Sequence, residues 1–154
     1  MSKQETSKRL TEKGYAVLQP EETFWRESNI MKIPNTNLAD QLGTSNIGAR
    51  LWRMPPYSAN TWHKHIDQEE LYFVVYGTGR IRVGNDTLTL QQGGAVLVKP
   101  EALRQVFNDT DKDVLWFIVG APLEDTTAGR REQFYPEDPT QLPKELSGRQ
   151  WPRK

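Results

Sequence analysis

The sequence contains no cysteine, which excludes disulfide scaffolds and thiolate metal sites. Neither sign of charge is in excess, with 20 Lys and Arg against 20 Asp and Glu. A nucleic-acid partner is therefore not expected, since that needs a clustered basic surplus. No segment approaches the roughly 20 apolar residues that cross a bilayer, so no membrane partner is expected either. Met1 to Lys13 lacks the apolar stretch of a secretory leader. Together these absences predict a soluble, cytoplasmic chain. Its 154 residues suit a single domain, 1–154, with one core.

What the chain does have is a series of short apolar runs between turn residues. Ile47 to Met54 reads as a strand ended by Pro55-Pro56. Glu70 to Tyr76 is dense in aromatic and β-branched residues and stops at Gly77-Thr78-Gly79. Arg80 to Val83, the hairpin signal Gly84-Asn85-Asp86, and Thr87 to Leu90 follow. Ala95 to Val98, Arg104 to Asn108 and Val114 to Val119 complete the series. Short strands at this spacing predict an all-β sandwich or barrel, with its core over about 46–121.

Two arms flank that core. Residues 1–13 are polar and read as a frayed helix or a disordered arm. In 14–45 no period persists, which predicts short strands and turns wrapped on the core. Residues 122–154 carry Pro122, Pro136, Pro139, Pro143 and Pro152, so neither a long helix nor a central strand is expected. Phe134, Tyr135, Leu142, Leu146 and Trp151 nevertheless call for burial. The expectation is an extended arm on the barrel or on a neighbouring subunit, the alternative being a disordered tail.

Histidine is scarce, and its placement is informative. The two histidines are His63 and His65, and in a strand residues two apart share a face. Glu70 opens the most hydrophobic strand, where a lone carboxylate would be costly to bury. Two imidazoles and a carboxylate on one face are the donors of a site for Fe, Mn, Ni or Zn. Tyr72 and Val74 share the face of Glu70, while Leu71, Phe73 and Val75 take the other. Trp62 is expected to face away from its histidine neighbour, and Trp52 and Trp116 to be core. Arg80 and Arg82 read as a solvated face, Asn60 and Asn108 as loop and turn residues.

This pattern resembles the cupin family. His63-Lys64-His65, four residues, Glu70, six residues and Gly77 fit its first motif, with Tyr57 where the motif opens on glycine. Gly93, Pro100, Arg104 and Asn108 fall in register with the second motif. There Arg104 stands at the third histidine ligand, or Gln105 does if Gly94 sets the register. The resemblance implies a double-stranded β-helix barrel, all-β, with irregular terminal arms, and a homodimer. It also implies a pocket for a small molecule.

Arginine has no lone pair to give a metal, and three readings follow. A divalent transition metal sits on His63, His65 and Glu70, while Arg104 grips an anionic substrate with its two-pronged fork. Alternatively, Arg104 pairs with Glu70 in a metal-free pocket. In the third, Gln105 completes a weaker metal site. Tyr72 is the candidate for a phenolic hydrogen bond to the ligand, and no organic cofactor is expected. The matching functions are a metal-dependent oxygenase, isomerase or lyase, a metal-free binding or sensing protein, and a barrel that has lost its site.

Overall fold

The computed structural model describes residues 14–125 and 131–154; the N-terminal stretch 1–13, expected as a frayed helix or disordered arm, lies outside them. Among the described residues ten strands form two antiparallel sheets. The larger sheet contains β1 (Arg26–Glu27), β2 (Pro34–Asn37), β3 (Gly48–Met54), β10 (Val114–Ala121), β5 (Glu69–Tyr76) and β8 (Ala95–Val98), in that order. The smaller contains β4 (Ser58–Ala59), β9 (Arg104–Asn108), β6 (Gly79–Val83) and β7 (Asp86–Leu90). This is the double-stranded β-helix expected from the sequence. The one α-helix among the described residues, α1 (Leu38–Leu42), is a short turn capped by the Asn37 side chain.

The sequence dictates these elements locally. β5 alternates as its pattern requires: Tyr72 and Val74 are buried, while Leu71 and Val75 face out. The strand ends at Gly77, whose φ of +87° a side chain would strain. The core lies between the sheets, built from Met54, Val74, Trp116 and Ile118 on one side and Ile81, Val106 and Phe107 on the other. Asn108 closes one end, donating to the carbonyls of Met54, Pro55 and Lys112.

The described parts of both arms pack on this barrel. Residues 26–37 are not merely wrapped on it; β1 and β2 extend the larger sheet beside β3. Met31 and Ile33 are wholly buried. The C-terminal arm lies on its own barrel: Leu146 enters the core, worth about 2 kcal/mol of apolar burial. Trp151 donates its indole N–H to the Met31 carbonyl at 2.7 Å. Arg82, expected as solvated, instead stacks over Trp62 at 4.1 Å and bonds Gln105 and the Gln141 carbonyl of the arm. Leu71, Val75, Tyr76 and Leu97 leave an exposed apolar row on the outer face of β5 and β8.

Candidate metal centre

His63 and His65 come from the extended segment between β4 and β5, and Glu70 from the first inward position of β5. His63 is held by a single antiparallel bridge to Arg104 of β9, with backbone bonds of 2.8 and 3.1 Å in the two directions. The His65 N–H donates to the Pro100 carbonyl at 2.8 Å. Backbone pairing therefore holds both residues against β9 and the loop before it. One donor atom from each of His63, His65 and Glu70 can be chosen so that all lie within 4.8 Å of one another.

The imidazoles are oriented as metal ligands require. His63 Nδ1 lies 3.0 Å from the Thr61 carbonyl, and His65 Nδ1 lies 3.2 Å from Glu124 Oε2. Each of these partners only accepts, so Nδ1 carries a proton and Nε2 is the nitrogen left to face the cluster, able to ligate once any proton on it leaves. Both Nε2 atoms turn to Glu70 Oε1, at 3.8 Å from His63 and 3.0 Å from His65. Burial by itself would raise the Glu70 pKa, but the bonds and charges of His63 and His65 outweigh it and hold the carboxyl well below its ordinary range.

Glu124, just beyond β10, touches the cluster and was missed by the sequence reading. Its carboxylate accepts the N–H groups of Ile66, Asp67 and Gln68 as well as His65. Burial opposes its charge, yet the three backbone bonds prevail and keep its pKa below the usual value. Nothing local signals this role, because Glu124 is 59 positions from His65.

Of the places read for Arg104 and Gln105 in the sequence, the structure brings together only Arg104 and Glu70. Arg104 is fully buried, and its Nη1 and Nη2 donate to the carbonyls of Val98, Lys99, Pro100 and Ala102. The fork expected to grip an anion is thus taken up by the 98–102 loop. Only Nε faces Glu70 Oε1, at 3.6 Å, too far for a hydrogen bond. Gln105 points to the opposite side of β9, as strand alternation demands, and bonds the carbonyls of Asn60 and Gln141. It ties the C-terminal arm to the barrel. Tyr72 lies in the pocket wall, and its hydroxyl donates to Glu70 Oε1 at 2.7 Å. Burial first, and the Glu70 charge second, push its pKa well up, so it stays a donor.

The cluster opens into a cavity of about 520 Å³. Asn60, Gln68 and Trp52 line it, together with three arginines, Arg26, Arg50 and Arg131. Trp52, expected as core, is half-buried there.

Residues 50–120 match the family model described as the cupin domain. The fold is similar to a sugar phosphate isomerase of the cupin superfamily from Silicibacter pomeroyi, at 19% identity and TM-score 0.63 over 70% of this chain and 76% of that one. It is similar to KdgF from Halomonas sp., at 17% identity and TM-score 0.63 over 73% and 99% of the two chains. A predicted oxalate decarboxylase from Thermotoga maritima gives 17% identity and TM-score 0.62 over 70% and 99%. At these identities the likeness is one of fold. No curated protein matches the sequence.

Proposed function

The chain is a small cupin-domain protein, and on that premise we propose that it holds one divalent transition metal and acts on a small anionic metabolite. The observation that carries this reading is the pair of imidazoles whose Nδ1 atoms are tied to acceptor oxygens while both Nε2 atoms converge on Glu70. Two imidazole nitrogens and one carboxylate oxygen are a donor set that Fe, Mn, Ni and Zn accept, the ion taking the place of any Nε2 proton shared with Glu70. A bound ion would supply Lewis acidity at the cavity wall, the chemistry that isomerases, lyases and oxygenases draw on.

The chain's own residues do the rest. Thr61 and Glu124 fix the two rings, and Tyr72 fixes the carboxylate of Glu70. Arg104 locks the loop that pins His65 through Pro100. The three arginines of the cavity favour an anionic substrate. Two of the similar structures are named for sugar phosphate and for oxalate, both small oxyanions. The exposed row on β5 and β8 supports a homodimer through that face.

A second reading rests on one observation. Arg104 Nε has no hydrogen-bond partner among the described residues and lies 3.6 Å from Glu70 Oε1. A small closure would make the pair direct and the pocket metal-free, a site for binding or sensing. Elemental analysis of protein purified without a histidine tag separates the two. Near-stoichiometric metal that is lost in His63→Ala supports the metal site; its absence from the wild type supports the Arg104–Glu70 pair.

A further inference from the structure

One wall of the cavity is cationic, and its cations stand outside the His-His-Glu cluster. Arg26 of β1 and Arg50 of β3 both line it, with Asn35 of β2 between their strands. Asn35 is buried, and its amide N–H groups donate to the carbonyls of Arg26 at 3.2 Å and Ile33 at 3.1 Å. That fixes which end of the amide faces Arg50. Asn35 Oδ1 accepts from Arg50 Nη1 at 2.9 Å, and Asn35 is the one hydrogen-bond partner of that guanidinium among the described residues. The Trp52 ring lies 5.9 Å from the guanidinium carbon. One arm of the fork is therefore held in place, and the other donors remain to be used.

We propose that Arg50, held by Asn35 and reinforced by Arg26, anchors the oxyanion of a small ligand, a carboxylate or a phosphate, whose other end reaches His63, His65 and Glu70. The inference rests on reading this cavity as the site of a small anionic metabolite, and it names the residues that recognise the charge.

Register supports the span. Arg50 pairs with Ile118 of β10, which pairs with Tyr72 of β5, so Arg50 and Tyr72 share an inner row. Two strand spacings separate them, about 10 Å, and the Tyr72 hydroxyl already touches Glu70. A ligand of a few carbons bridges that distance, and the cavity volume lies in the range of small-molecule sites. The electrostatics agree. Burial and then the neighbouring Arg26 charge hold the Arg50 pKa below its ordinary value, although Asp40 and Glu70 act the other way. An oxyanion between the two guanidiniums relieves the repulsion. The competing role is structural: Arg26, Asn35 and Arg50 also line a second hollow, together with Glu21, Glu22 and Asp40.

The test is calorimetric titration of untagged protein with inorganic phosphate and, separately, with malonate, with metal content measured on the same samples. One of the two anions should bind the wild type, and that preference tells phosphate from carboxylate. Arg50→Gln should weaken binding at least about 10-fold, the loss of a two-pronged charged contact, and Arg50→Lys should fall between. Arg26→Gln, at an exposed position, should weaken it about 3-fold and carries the test if Arg50→Gln does not fold. Metal content should stay the same in every variant. Equal binding by the wild type and the arginine variants, or no binding of either anion, overturns the inference and leaves the metal centre standing. Arg50-dependent binding in protein that holds no metal supports the inference and overturns the metal reading.

Discussion

Replacing Arg104 by methionine tests whether this residue is a loop clamp or a partner of Glu70. Methionine fills much of the same volume but removes every donor. Arg104 makes four bonds to the carbonyls of Val98, Lys99, Pro100 and Ala102. At about 1 kcal/mol each, their loss costs on the order of 4 kcal/mol. The ion pair with Glu70 is longer, at 3.6 Å, and its attraction is offset by the desolvation of both charges. The clamp should therefore dominate. Urea unfolding of Arg104→Met, of Glu70→Gln and of the double variant separates the two contributions. The expected result is a loss of about 4 kcal/mol for Arg104→Met, with a coupling to Glu70 of about 1 kcal/mol. A total loss below about 1 kcal/mol, or a coupling that makes up most of the loss, would refute the clamp.

Glu124→Gln should weaken metal binding about 10- to 100-fold, because it loosens the hold on His65 Nδ1; a metal titration measures this. The Glu124 pKa is lowered on folding from 4.5, so the unfolded chain binds the extra proton. The contribution is then present in full above that value and lost as pH falls toward the folded pKa. Stability curves in acid should be shallower for Glu124→Gln than for the wild type. Tyr57 sits at φ +56°, where the cupin motif has glycine, and Tyr57→Gly should be about 1 kcal/mol more stable than Tyr57→Ala, since only the alanine keeps the backbone strain. Light scattering should report a dimer for the wild type, and Leu97→Lys should shift it toward monomer.

The fold was legible because its signals are local. The hairpin at Gly84-Asn85 and the β5 alternation depend on neighbours along the chain, and β3 and β5 to β10 begin and end within a residue or two of their apolar runs, whereas β1, β2 and β4 have no such run. His63, His65 and Glu70 were legible for the same reason, their spacing falling on one short segment. Arg50 and Glu124 were not. Their place in the cavity wall comes from the pairing of β3 and β5 with β10, which no short spacing encodes. Arg104 shows a different limit. The sequence gives the residue type at a motif position, but four backbone carbonyls that become available only on folding decide where its fork points. Tyr57 is similar: its positive φ explains why the motif carries glycine there, and the Arg149 guanidinium stacked 3.5 Å over its ring comes from the distant C-terminal arm.

The most direct test of the metal centre is an anomalous difference map from crystals soaked in manganese(II). A single strong peak within bonding distance of His63 Nε2, His65 Nε2 and a Glu70 oxygen is the predicted result. A map without that peak, and with Arg104 Nε closed to hydrogen-bond distance on Glu70, would contradict the account.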